Sequence, residues 1–581
     1  MKLILSYLGK LKGRLAGAMV LKFLAAMFEL LLPRILTHII DEVVPTGLVR
    51  SVVLWGLAMI LVAALTAGLN ILANRAAVRN AKEVAFAVRQ DLFEKTARLS
   101  GTRFDLFTLP SLTSRMTSDS YNIQQFAQTL QAMCVRAPFL MLGGILMMFS
   151  MDVVLASILI AIIIPLGLFV FLVSRKGIPL FNIVQEKLDT VVRIMRENIT
   201  GIRVVKALSK KDYEQRRFDR ANEEMYRSNT RASTIMALPG PVMNLCLNAG
   251  LAMVVYIGAT RVNAGVMKPG VILGSLTYFN TILMSVMALN RIFIMLSKAS
   301  ASANRIADVL ASPEDQPILP PEECLTPAGD ELIRMEHVRF RYREAAQEMQ
   351  DGEQALALND ISFAVREGES LGIIGPTGAG KSTVLQLLMR FYDVKDGGVF
   401  IDGRDVRGYE PDELRRNFGV VFQNDMVFND TLFQNVDFGR GLSADQVDAA
   451  VRDAMAADFV YGLKGGLDFV ADIKGANLSG GQKQRLLIAR SLAARPRILI
   501  LDASSSALDY RTDAQLRKTL GERYRDSTLI MIAQRVSSIR HLTNILVLKD
   551  GECIGYGPHD TLMQTCPYYR DICLAQMGAL E

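Results

Sequence analysis

Leu371-Gly-Ile-Ile-Gly-Pro-Thr-Gly-Ala-Gly-Lys-Ser-Thr383 is the stretch whose reading decides the fold. Its spacing is G-x-x-x-x-G-K-[ST], with Gly375, Gly380, Lys381 and Ser382 at the fixed positions. An apolar strand over 370–374 runs into glycines that let backbone N–H groups converge on phosphate oxygens. The segment 383–391 then reads as the helix whose positive end faces that anion. A lysine at this place contacts the β- and γ-phosphates of a nucleotide, and the hydroxyl beside it contacts Mg²⁺. Gly375, Gly378, Gly380, Lys381, Ser382 and Thr383 are therefore the expected core of an ATP site, with ATP and Mg²⁺ as its ligands.

A chain of 581 residues is too long for one domain. Half of it is hydrophobic, and the apolar residues concentrate before about residue 297. The formal net charge of +7 comes from Lys and Arg that cluster beside apolar runs, as in the cytoplasmic loops of membrane proteins, so the basic balance points to a lipid bilayer and not to nucleic acid. The six cysteines form no C-x-x-C and no metal-ligand spacing with the four histidines, which predicts reduced thiols and no structural metal. The first fifteen residues have too short an apolar run for a signal peptide; they read as an amphipathic segment on the cytoplasmic surface.

Runs long enough to cross a bilayer fall near 17–40, 52–73, 236–260 and 270–296. The region 135–173 is about twice the length of one span and has its main polar break at Ser150 to Asp152, so it reads as two, making six. The stretches 75–136 and 175–235 are rich in Lys and Arg, which places them and both termini in the cytoplasm of a multi-pass protein of the cell membrane. Polar residues within the spans include Lys22, Glu29, Arg34, Asn70, Asn244 and Asn248. Lys22 and Arg34 are expected to snorkel to the interface, whereas Glu29 lies deep in its span, four residues before Pro33, and is the candidate for a substrate cavity.

Prolines at 313, 317, 320, 321 and 327 mark 311–330 as a linker between a transmembrane domain (1–310) and a nucleotide-binding domain (331–581). Short β-rich runs (332–340, 370–374, 399–401, 498–501, 529–532 and 545–548) alternate with helical stretches after the linker. The expected fold class is thus an α-helical six-span domain followed by an α/β P-loop domain.

Ile498-Leu-Ile-Leu-Asp502 has the form of a Walker B strand, its carboxylate poised to hold Mg²⁺. Between the two nucleotide motifs stands Leu478-Ser-Gly-Gly-Gln482. Together with Tyr342 and Gln423, this set resembles the signature of ATP-binding cassette proteins, and with six spans ahead of it the whole chain resembles a half-transporter of the ABC exporter type. The run Arg196-Glu-Asn-Ile-Thr-Gly-Ile-Arg-Val-Val205 is similar to an intracellular helix of that family. The resemblance implies two cassettes closing head to tail, each ATP held by one chain's P-loop and the other chain's signature. On that reading Tyr342 stacks on adenine and Gln423 joins Ser382 and Asp502 at the metal. Leu478, Ser479, Gly480, Gly481 and Gln482 then cover the γ-phosphate of the partner's ATP, and Ser506 to Asp509 links the two sites. Short helices near Arg103 to Ser114 and Ser209 to Arg217 are the expected coupling elements. The acidic stretch Arg343 to Gln354 is longer than the family has there and receives no role.

Two positions depart from the family pattern. A catalytic Glu follows the Walker B Asp in the family, but this chain has Ala503; where the family has a His at the γ-phosphate, this chain has Gln534. Neither residue can act as a proton acceptor of the required kind, so no catalytic residue is intact in this chain. The expectation is a degenerate site that binds ATP, in a heterodimer whose partner is a non-identical half-transporter bearing the Glu and His. Its cargo would be a small hydrophobic or amphipathic drug, lipid or peptide. The alternative is a nucleotide-gated, non-catalytic regulatory or channel-like membrane protein.

Overall fold

The computed structural model describes residues 2–313, 316–329, 331–342, 356–502 and 508–577. The chain forms two compact units, one of Met1–Glu94 with Pro110–Ala311 and one of Lys95–Leu109 with Ser312–Glu581. Ala503, the acidic stretch 343–354 and residues 506–507 of the expected linking loop lie outside the described residues.

Among the described residues six helical stretches are long and apolar enough to span a bilayer: Lys12–Thr46, Val49–Ala97, Leu109–Met151, Val153–Thr200, Lys211–Asn263 and Pro269–Leu289. Helix is the expected answer to an apolar run in lipid, because every backbone group is then satisfied within its own segment. The double-length region breaks where Asp152 leaves the helical conformation. Its carboxylate accepts from the Val154 and Leu155 amides at 2.9 and 3.0 Å, capping the next helix, and its other oxygen accepts from Arg261 at 2.8 Å. Helix Val49–Ala97 has 49 residues, about 74 Å at 1.5 Å per residue against a hydrocarbon layer of about 30 Å, so it continues well past the membrane. In the third stretch buried Asp119 accepts from Ser302 at 2.8 Å and from Arg305 at 2.9 Å, tying it to the helix Pro269–Leu310 that continues the sixth.

Lys22 does not snorkel. It is 5 % exposed and donates to Asn70 and Asn74 at 2.8 and 2.9 Å, because a partner helix offers amide oxygens nearer than the interface. The segment 175–235 also differs from expectation. Its short helix is Ile202–Ala207, and Ser209 at φ +52° separates it from Lys211–Ala237, so 211–217 are the first turns of a long helix.

The second unit carries ten strands among its described residues: β1 Ile333–Phe340, β2 Leu358–Val365, β3 Ser370–Ile374, β4 Asp396–Ile401, β5 Arg404–Asp405, β6 Phe418–Val421, β7 Ile498–Asp502, β8 Thr528–Ile532, β9 Asn544–Lys549 and β10 Glu552–Gly557. They form an antiparallel sheet, β2-β1-β4-β5, and a mainly parallel one, β10-β9-β3-β8-β7-β6. β7 is buried along its whole length, as a central parallel strand covered on both faces must be. Among the described residues of the unit, two apolar clusters stand out. One contains Leu385 and Leu388 of the helix Lys381–Leu388 and the inner faces of β1 and β2; the other lies under the helix Gly480–Leu492. The proline-rich segment is pinned at several points: Arg390 donates to the Pro317 carbonyl at 2.8 Å, and the Leu325 amide to Asp405 at 3.1 Å. Within the same unit the short helix Gly101–Phe107 lies on Phe391 and Tyr392, with Tyr392 Oη donating to Asp105 at 2.7 Å.

Candidate functional site

The loop between β3 and its helix is built on close approach. A Cβ on Gly375 would stand 2.1 Å from the Leu548 carbonyl oxygen, and Gly380 holds φ +92° with the Ala357 oxygen 2.7 Å from where its Cβ would be. Only glycine fits both places. The loop closes one wall of a cavity of about 360 Å³ lined by Gly378, Gly380, Lys381, Ser382 and Thr383. Tyr342, Gln423, Asp502 and Gln534 line its other walls. Residues far apart in sequence thus meet because β3, β7 and β8 are neighbours in one sheet and all end at the same edge.

Lys381 Nζ donates to the Gly375 and Pro376 carbonyls at 2.9 and 2.7 Å. Burial lowers its pKa and the nearby Asp502 opposes that shift. Ser382 Oγ donates to Asp502 Oδ2 at 3.3 Å. Asp502 is 5 % exposed, and burial raises its pKa against the Ser382 hydrogen bond, the Lys381 charge and the Gln423 amide. Hydroxyl and carboxylate oxygens converge here with Gln423 in the same cavity, an all-oxygen donor set that fits Mg²⁺ in preference to a softer ion. Tyr342 packs edge-on against Phe340 and Tyr392, and its hydroxyl lies 3.1 Å from Thr383 Oγ1 and 2.5 Å from Gln386 Oε1. Its ring is therefore fixed at the cavity wall. Gln534 stands at the end of β8, where its carbonyl accepts from Gln576 at 2.8 Å.

The raised pKa of Asp502 has a consequence for stability. A carboxyl whose folded pKa lies above its unfolded value stabilises the fold at low pH, and this contribution is lost as pH rises through the folded pKa. Above the folded pKa the ionised carboxylate is a cost that the cassette bears. Asp502→Asn should therefore raise the thermal midpoint of the nucleotide-free protein at neutral pH, with the gain shrinking on acidification, while Mg²⁺-dependent ATP affinity falls at least tenfold. Calorimetry with and without Mg²⁺ and ATP checks both halves; an unchanged Mg²⁺ dependence would remove Asp502 from the metal site.

Leu478 to Gln482 is not brought to this cavity. Leu478 anchors the segment in the core at 9 % exposure. Ser479 caps the helix Gly480–Leu492 in a reciprocal box, its Oγ accepting from the Gln482 amide at 3.3 Å and its own amide donating to Gln482 Oε1 at 2.9 Å. The open end of that helix carries exposed Ser479 and Gly480. Arg490 was not singled out from sequence. It is 8 % exposed and donates to the Asn435 and Met426 carbonyls at 2.8 and 2.9 Å, so it latches the segment after Gln423 to the signature helix. The sequence signal was a lone arginine inside the apolar run Leu486 to Leu492. Glu29 belongs to the membrane unit, where its carboxylate accepts from Arg136 NH2 and Nε at 2.6 and 3.1 Å.

Comparison with known proteins agrees with this geometry. Residues 15–286 match the ABC transporter transmembrane region and residues 358–506 match the ABC transporter model. The chain is 32 % identical over 566 residues to the uncharacterized ABC transporter ATP-binding protein YfiB of Bacillus subtilis, covering 97 % of this chain and 96 % of that one. It is 31 % identical to the fatty acid ABC transporter ATP-binding/permease protein of Mycobacterium bovis over 478 residues, 82 % of this chain and 74 % of the other. A solved bacterial Atm1-family ABC exporter with ATP bound superposes with a TM-score of 0.81 at 24 % identity, over 98 % of this chain and all of that one, and so shares its fold. With membrane-spanning region and ATP-binding cassette in one polypeptide, the chain belongs to the ABC transporters.

Proposed function

We propose that this chain is one subunit of a heterodimeric ATP-driven exporter, and that its own P-loop site holds ATP while hydrolysis proceeds at the partner's. The observation that carries the reading is the reactive end of the cavity: Gln534 stands beside Ser382 and Asp502 where the family has an imidazole, and the residue after Asp502 in the sequence is Ala503. Loop amides and Lys381 would bind the phosphates, Tyr342 would carry the adenine, and Ser382, Gln423 and Asp502 would hold Mg²⁺. Bound Mg²⁺ neutralises charge on the phosphate oxygens. Asp502 would be committed to the metal, and the cavity offers no second carboxylate or imidazole among its described lining residues to take a proton from water. The signature at Leu478 to Gln482 would serve the other nucleotide, that of a non-identical half-transporter carrying the Glu and His, and Arg490 would pass its movement to the segment after Gln423.

Binding and release of ATP would then drive an alternating-access cavity in the membrane unit, with both termini cytoplasmic. The name of the fatty acid relative, together with the Glu29–Arg136 pair inside the spans, favours amphipathic cargo with a polar head. Purified without its partner, the chain should retain ATP through gel filtration and hydrolyse it roughly 10² to 10⁴ more slowly than the two-subunit complex. Turnover by the chain alone at the rate of the complex would contradict the degenerate site.

A further inference from the structure

Outside the nucleotide site, the membrane unit holds a cavity of about 490 Å³ in which Arg14, Arg75, Arg79 and Asn80 share the lining with Gly17, Ala18, Leu21 and Ala76. Arg75 and Arg79 are exposed, one helical turn apart on the helix Val49–Ala97. Glu83 is one turn further but pairs with Arg14 across the cavity at 2.7 Å. Among the described residues neither Arg75 nor Arg79 has a carboxylate partner, and like charges at this spacing repel each other. Asn80 is turned away to Gln131 at 2.8 Å, so it does not relieve them. Three guanidiniums against one carboxylate leave a net of two positive charges around a space whose remaining lining is apolar.

The depth of this cavity decides its ligand. Arg75 lies 26 positions beyond Val49 in the helix, about 39 Å along its axis, which puts it just past a hydrocarbon layer of about 30 Å. The last large apolar residues before it, Ile71 and Leu72, are 52 % and 54 % exposed. An exposed apolar wall running into a basic pocket matches one amphipathic molecule, with acyl chains beside Ile71 and Leu72 and a phosphate between the arginines. We propose that Arg14, Arg75 and Arg79 form a binding site for the phosphate headgroup of an anionic membrane lipid in the cytoplasmic leaflet. The site is separate from the ATP cavity and from Glu29–Arg136, and it stands whichever cargo the transporter moves.

The full chain is reconstituted in nanodiscs of equimolar phosphatidylcholine and phosphatidylglycerol, and the lipids that remain bound after ejection are identified by native mass spectrometry. The wild-type chain retains phosphatidylglycerol over phosphatidylcholine. Each arginine contributes roughly fivefold to that preference, so Arg75→Gln loses about fivefold and Arg75→Gln with Arg79→Gln about 25-fold. Arg75→Lys with Arg79→Lys keeps most of it, and the single variant keeps the series readable if the double one folds poorly. An unchanged preference in the glutamine variants overturns the proposal. Displacement of the bound lipid by millimolar inorganic phosphate also overturns it, assigning the pocket to a soluble anion.

Discussion

Ala503→Glu combined with Gln534→His should turn the purified chain from an ATP-binding protein into an ATPase, with a gain of roughly 10² to 10⁴ in turnover. The glutamate would follow Asp502 at the end of β7, a strand buried throughout, so its backbone starts from a rigid support. Placed beside the ionised Asp502, its carboxyl would feel a like charge that raises its pKa toward the range of a working base. The histidine would stand at the end of β8, where Gln534 already lines the cavity with Lys381 and Ser382. Glu alone should recover most of the rate, because it supplies the group that accepts the proton; His alone should recover little. Phosphate release at saturating ATP and Mg²⁺ checks the order. A double variant that stays at the wild-type rate would mean that something other than these two side chains silences the site.

The ATP cavity was legible because its residues sit in fixed spacings that backbone chemistry imposes. Gly375 and Gly380 cannot be replaced where carbonyl oxygens stand within 2.7 Å of a Cβ position, so the glycine pattern survives as a readable mark. The six spans were legible because a bilayer demands long uninterrupted apolar runs. Strands β2, β5, β6 and β10 were not read, for physical reasons. β2 has polar Asn359, Asp360 and Ser362 alternating with a core face, and Asp360 sits at φ +57°, so neither propensity nor period is clean. β10 is a glycine-containing edge strand, and β6 has four residues. Pairings across the fold were invisible for a different reason. Glu29 with Arg136, and Lys22 with Asn70 and Asn74, join residues 48 to 107 positions apart, and no local pattern announces such a partner. Lys22 was therefore assigned to the interface when amide oxygens on the next helix hold it inside.

The second large effect separates the site this chain occupies from the one it completes. In the two-subunit complex Gly481→Asp would set a carboxylate at the open end of the helix Gly480–Leu492, against phosphate charge that grows during transfer. Losing a single fixed donor at such a place costs about 10² to 10³ in rate, and an added negative charge costs more. Lys381→Ala removes a cation that here contacts the Gly375 and Pro376 carbonyls and faces Asp502, in a cavity that on the proposed reading holds ATP without cleaving it. Its loss should weaken nucleotide retention and cassette closure and leave turnover within about tenfold of wild type at saturating ATP. The direct test is the steady-state ATPase rate of the purified complex carrying each variant in this chain alone. Near-complete loss for Gly481→Asp with a modest loss for Lys381→Ala is the predicted result; equal losses, or a greater loss for Lys381→Ala, would place catalysis on this chain's own P-loop and contradict the account.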